Sequence, residues 1–230
     1  VGLVSPPDNL GLKGERPTHP ELLDWLATEI QRRGWSLKAM HRLIVCSTTY
    51  RQAAGDQPSS AAARRGLELD PDNRLLWRQR TRRLDAESLR DAMLAVSGRL
   101  NPQSGGPPVP IRRQADGEVL VDDNPSGWRR SIYIEVRRSQ PLTLLQVFDQ
   151  PVMETNCTER GTSTVASQAL VLLNSSTVEA LGAAMVDRLE SEGKPKGDAA
   201  TIGDLIDRAW RLAWGRAPTA PELARAQAFL

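Results

Sequence analysis

A cap residue, then apolar side chains three or four positions apart, then a closing glycine or polar break: this order of signals recurs along the chain and dictates helices. Thr18-His19-Pro20-Glu21 has the spacing of a capping box, in which the Thr hydroxyl and the Glu carboxylate exchange hydrogen bonds with backbone N–H groups. Leu22, Leu23, Leu26 and Ile30, with Trp25 beside them, form an apolar stripe, and Arg32 and Arg33 suit the negative end of the helix dipole. Gly34 is placed for a left-handed cap, and Ser36 caps a second helix with Leu37, Met40, His41, Ile44 and Val45 along one side. Pro58-Ser59-Ser60 is able to start a short helix, and Asp70-Pro71-Asp72-Asn73 reads as a turn. Asp85 caps a helix running to Gly98, with Leu84 and Leu89 at the staple positions. Further helices follow from Val165 to Leu173, capped by Ser163 or Thr164, and after Asn174, with Val178, Leu181, Met185 and Leu189 inward. Thr201 caps the next, which closes at Gly215, and Thr219-Ala220-Pro221-Glu222 opens the last with a second capping box.

Between these helices the pattern breaks. Pro102, Gly105, Gly106, Pro107, Pro108 and Pro110 make residues 101–117 a long loop. Residues 118–121 and 128–137 alternate with period two, the second placing Ile132, Ile134 and Val136 on one face, and Asp122-Asp123-Asn124-Pro125-Ser126-Gly127 supplies the turn. The expectation is a mainly α, multi-helix domain with one small β-hairpin insertion at about residues 118–138. Residues 1–17, rich in Gly and Pro, read as an irregular lead-in, and residues 18–230 as a single helical domain. The chain opens at Val1 and stops at Leu230 inside a helical pattern, so it reads as a segment cut at both ends.

Composition narrows the function classes. A chain of 230 residues buries a sizeable core without staples. With 25% charged residues and a net charge of +2, it is neither a disordered acidic tail nor a globally basic nucleic-acid binder. Its longest apolar runs fall short of the roughly 18 residues a membrane span needs. Only Lys13, Lys38, Lys194 and Lys196 among its 30 cationic residues are lysines, and the rest are arginines, which fork onto carboxylates and phosphates and stack on aromatic rings. A GC-rich gene produces the same bias without any function.

Standard catalytic signatures are missing. Cys-x-x-Cys-His for covalent haem, His-Glu-x-x-His for zinc, Gly-x-Ser-x-Gly and a phosphate loop are all absent, and two histidines are too few for a three-histidine metal site. No metal site is expected. Cys46, between Val45 and Ser47 on an apolar helix, reads as a buried free thiol, whereas Cys157 stands in a polar stretch and reads as exposed and reactive. A disulfide between them remains open. His41, on the apolar side of its helix, reads as a core histidine, and its helix pair as a packed hairpin rather than a DNA-reading unit with Lys38, His41 and Arg42. His19 sits at a helix start, where the dipole favours the neutral ring. His19, Asp24 and Cys157 are the weak catalytic candidates. Arg112, Arg113, Trp128, Arg129, Arg130, Tyr133, Arg137 and Arg138 cluster around the expected hairpin and are the binding candidates, toward an acidic glycan, a phosphate or an acidic protein. Charge protection of an edge strand accounts for the same cluster equally well.

Ordered blocks of residues also carry a likeness. His19-Pro20-Glu21-Leu22-Leu23-Asp24-Trp25-Leu26-Ala27, Trp35-Ser36-Leu37-Lys38, His41-Arg42-Leu43-Ile44-Val45 and Tyr50-Arg51-Gln52 resemble the opening of a planctomycete-specific domain of unknown function. Asp70-Pro71-Asp72-Asn73, Arg82-Arg83-Leu84-Asp85, Arg130-Ser131-Ile132-Tyr133, Leu172-Leu173-Asn174 and Gly215-Arg216-Ala217-Pro218-Thr219 continue the match, which spans about residues 18–223. Cys46 departs from it where Thr or Ser is expected, as does Val165-Ala166-Ser167 where a Pro-containing triplet is expected. The resemblance implies a periplasmic or extracellular setting, C-terminal to cytochrome-like modules in large proteins. It implies no cofactor in this segment, with any haem in a separate module, and no catalytic residues. The leading expectation is a non-catalytic scaffold or binding domain whose partners are neighbouring modules of the same polypeptide and acidic ligands. The alternative is part of a hydrolase or redox enzyme completed by a neighbour. Near-neutral charge disfavours nucleic acid.

Overall fold

A computed structural model describes residues 3–4, 9, 12–54, 60–151, 160–192 and 201–229. Its contacts divide the chain into two compact units, Val1–Arg83 with Cys157–Glu159, and Leu84–Asn156 with Arg160–Leu230.

The first unit holds α1 (Pro20–Arg32), α2 (Leu37–Val45) and α3 (Ala61–Leu69). Thr18 does not cap α1. Its hydroxyl donates to the Leu3 carbonyl, and His19 takes the N-cap position without a side-chain cap bond. The expected box fails because Thr18 has a longer-range acceptor. Gly34 and Trp35 both take positive φ, and the Trp35 N–H reaches back 2.8 Å to the Ile30 carbonyl, which closes α1 sharply. Ser36 caps α2 by accepting from the Ala39 N–H, and Ser60 caps α3 by accepting from the Ala63 N–H, as the sequence predicts. Apolar stripes here stay largely solvent-facing: α1 buries none of its residues and α2 only Met40. After α3, the Asp70 carboxylate gathers the N–H groups of Arg74 and Leu75 at 2.9 and 2.7 Å, and Trp77 Nε1 donates to the Asp70 carbonyl. Those backbone donors hold the Asp70 carboxyl below its ordinary value.

The second unit holds α4 (Ala86–Val96), β1 (Ile111–Arg113), β2 (Val119–Val121), a 3₁₀ turn (Ser131–Tyr133), α5 (Thr143–Val147), α6 (Ala166–Asn174), α7 (Ser176–Glu192), α8 (Ile202–Trp214) and α9 (Ala220–Phe229). The architecture is therefore mainly α with a small two-stranded antiparallel sheet, in the register Ile111 opposite Val121. β2 falls where period-two alternation placed a strand. Its partner does not: β1 lies in the expected loop, and residues 128–137 hold the 3₁₀ turn Ser131–Tyr133 between isolated parallel bridges, Asn101 to Arg129 and Val109 to Ile134. Ile134 is consequently buried while Ile132 and Val136 are exposed, so the three do not share a face. Ala86, Val109, Ile111, Val119, Ile134, Leu142, Leu144, Leu145 and Phe148 form the core, packed by Leu89 and Met93 of α4.

Cap chemistry in this unit is mixed. Thr201 and Asp204 form a reciprocal capping box on α8, and Gly215 closes it at φ 68°. Asp85 occupies the N-cap of α4 without a side-chain bond. Neither Ser163 nor Thr164 caps α6, whose N-cap is Val165, because Ser163 is held elsewhere by Asp149. In the final box Glu222 does reach back to the Thr219 N–H, but the Thr219 hydroxyl donates to that carboxylate instead of capping. No single described helix is long and apolar enough to cross a membrane.

Candidate functional site

Buried arginine organises the region richest in candidate residues. Arg90, on the inner face of α4, is 3% exposed and donates to the carbonyls of Gly127 and Arg129 and to Ser131 Oγ. Burial depresses its guanidinium to about 10, opposed by the neighbouring Asp91 charge, so it stays cationic at neutral pH. Asp91 completes the junction by accepting both the Ser131 N–H and the Ser131 hydroxyl at 2.7 Å. One helix thus fixes the backbone of residues 127–131 through charge-assisted hydrogen bonds.

That fixed backbone positions a second clamp. Arg129 is 4% exposed, donates to the carbonyls of Pro107 and Gly105, and lies over the Tyr133 ring at 4.2 Å. Hydrogen bonds from Ser104 and the Gly105 backbone, with the nearby Arg129 and Arg130 charges, lower the Tyr133 hydroxyl. Trp128 is similarly engaged: its indole N–H donates to Asp123 at 2.7 Å, and Arg99 stacks on the ring while binding the same carboxylate. Of the expected binding set, Arg129 is thus the buried member, with both terminal nitrogens on backbone carbonyls.

Exposed guanidinium groups sit on the frame these clamps make. Val109 and Ile134 are bridged in parallel, and Arg112-Arg113 follows the first at the same offset as Arg137-Arg138 follows the second. Glu135 ties the two segments: its carboxylate accepts from Arg137 at 2.9 and 3.1 Å and from the Ile111 N–H, and these hydrogen bonds hold it below the usual carboxylate range. Arg112 pairs with Asp122 at 3.2 Å with 63% of its side chain exposed, and Arg130 reaches Asp91 at 3.5 Å while 62% exposed. Arg113 and Arg138 are exposed and make no ion pair among the described residues.

Two of the three catalytic candidates fall among the described residues. His19 stands at the α1 N-cap, its ring against the Thr18 hydroxyl at 3.0 Å, and Asp24 is exposed on α1. His41 is exposed on α2, against the expectation of a core histidine, and Met40 is the one buried residue of that helix. Cys46 is likewise an exposed free thiol at the α2 C-cap rather than a buried one, in an open groove with Arg33, Lys38 and Arg42. Cys157 lies outside the described residues. Among those described, no group of three His, Cys, Asp or Glu side chains is placed to hold a metal ion. Sequence reasoning missed Arg90, Asp91 and Ser131. Its only available signal was a charge at position 90 on the apolar side of the α4 pattern, between Leu89 and Met93.

These features define a mainly α, arginine-clamped domain whose long loops are pinned to a helix by guanidinium groups. The chain belongs to the family PSD1, described as protein of unknown function (DUF1553), whose model matches residues 1–230. Searches of curated proteins and of solved structures return no match.

Proposed function

We propose that this is a binding domain for polyanionic partners, acting through the two arginine pairs Arg112-Arg113 and Arg137-Arg138 with Arg130 beside them. The observation that carries the reading is that Arg113 and Arg138, each four residues past one partner of the Val109–Ile134 bridge, are exposed and free of ion pairs among the described residues. Preorganised guanidinium forks bind sulfate or carboxylate groups without first ordering the backbone that carries them. Acidic glycan is the favoured partner, since repeating anionic groups engage repeating forks. The domain docks beside neighbouring modules of a large extracytoplasmic protein, cytochrome-like modules among them, and its described surface serves recognition rather than chemistry.

The test is titration with heparin, a sulfated polysaccharide, and with polygalacturonate, a carboxylated one, at low salt. The wild-type chain binds saturably, and the double variant R113A/R138A binds at least about tenfold more weakly, a loss of about 1.4 kcal/mol. Equal binding by the variant, or no saturable binding of either polymer by the wild type, overturns the reading.

A further inference from the structure

Elsewhere in the second unit, α7 and α8 enclose a cleft of about 240 Å³ lined by Leu189, Glu192, Arg208, Arg211 and Leu212. Its acids are already engaged. Glu192 accepts from Arg188 at 2.9 Å, and Asp207, which precedes Arg208, accepts from Arg211 at 2.7 Å. Asp204, one turn back on α8, turns its carboxylate to the Thr201 N–H and hydroxyl. Arg208 is left with one long bond, from Nε to the Asp204 carbonyl at 3.4 Å, while Nη1 and Nη2 are both buried and have no partner. Among the described residues Arg208 alone has both terminal guanidinium nitrogens in that condition. A charged fork taken out of water without an acceptor is costly, and protein interiors hold such a group where something supplies the acceptor.

We infer that the α7–α8 cleft is a binding site for a small organic acid, whose carboxylate accepts from Arg208 Nη1 and Nη2. Planar two-point acceptance matches the guanidinium fork. Leu189, which is buried, and Leu212 offer apolar walls to the body of the ligand. The cleft volume lies below the range of about 300–1,000 Å³ typical of drug-sized ligands, which sets the ligand at a few carbons. This site is separate from the exposed arginine pairs and does not rest on the polyanion reading.

Butyrate is the probe, titrated into the full chain in a buffer free of other carboxylates. The Trp210–Trp214 pair on α8, ring centroids 4.8 Å apart, supplies a fluorescence signal beside the cleft. Butyrate gives a saturable change and a rise in melting temperature, with sulfate at least about tenfold weaker. Arg208→Met abolishes saturation, because the two-point donor is replaced by an apolar stem of similar length. Arg208→Lys retains weakened binding through a point charge. Three results overturn the inference: no saturation in the wild type, equal saturation in Arg208→Met, or sulfate binding as tightly as butyrate.

Discussion

Arginine in this chain works first on its own backbone. Arg90 holds two carbonyls and a hydroxyl, Arg129 holds two carbonyls, and Arg188 donates to the last carbonyls of α4, those of Ala95 and Val96, at 2.9 and 3.0 Å. Lysine, with one point of charge, cannot hold separated carbonyls in a fixed plane. The bias toward arginine thus has structural uses, whatever the base composition of the gene contributes. Because Arg90 is buried, Arg90→Met leaves several acceptors without donors, and it is expected to cost about 3 kcal/mol. The check is urea denaturation, in which the midpoint falls while the slope stays constant.

At the same scale, Glu222 sets an acid-sensitive contact. Arg216 at 2.8 Å, with the Thr219 N–H and hydroxyl, holds its carboxyl far below the usual carboxylate range. A folded value below the unfolded one contributes stability that is complete above the ordinary carboxylate pKa of about 4.3 and is lost as pH falls toward the lower folded value. Glu222→Gln is therefore less stable than the wild type at pH 6, and the gap narrows as pH drops from 5 toward 2. Melting followed by circular dichroism across that range checks it, and a gap independent of pH would refute the ionic contribution.

At the scale of elements, two glycines fix how segments approach. Gly66 lies on α3 where a Cβ would meet the Trp77 ring at 2.9 Å, and that ring is tied to the Asp70 carbonyl through Nε1. Alanine favours helix by about 1 kcal/mol, but a tethered indole cannot withdraw cheaply, so Gly66→Ala is expected to destabilise the first unit by about 1–2 kcal/mol net. A thermal melt read by tryptophan fluorescence decides the sign. Gly127 is more constrained, since a Cβ there would stand 1.8 Å from the Asp122 carbonyl oxygen. Gly127→Ala must open the 122–127 turn and displace the carbonyl that Arg90 binds. Its cost is expected above the about 1–3 kcal/mol of ordinary overpacking, read as low soluble yield or a lost cooperative melt.

For the whole molecule, net charge hides local charge. A balance of +2 disfavours long-range attraction to polyanions, yet Arg112, Arg113, Arg130, Arg137 and Arg138 stand within one short stretch of the second unit. Polyanion binding is then a matter of a few contacts and releases few counterions. The dependence of log affinity for heparin on log salt is expected to be shallow in the wild type, and its slope to fall by about two in R113A/R138A. An unchanged slope would assign the binding to other cations.

Helices were legible because their signals are local. The stripes of α1, α2, α4 and α8, the caps Ser36, Ser60 and Thr201, and the closing glycines 34, 98 and 215 each act within about one turn of themselves. Two of the caps that failed have a distant competitor: Thr18 donates to Leu3, and Ser163 to Asp149. Pairing was less legible, since period two marks an extended segment without naming its neighbour, and β2 pairs with residues 111–113 while residues 128–137 hold a 3₁₀ turn bonded to Arg90 and Asp91. Of the candidate site, the exposed arginines could be named from sequence, but their accessibility could not. Arg129 and Arg130 are adjacent and chemically identical, yet one is a buried clamp and the other exposed. Sequence alone determined a mainly α chain and its supply of guanidinium groups, because propensity and capping depend on near neighbours. Tertiary structure decided which of those groups hold the fold and which face outward, because burial and hydrogen-bond satisfaction depend on backbone brought together from far along the chain.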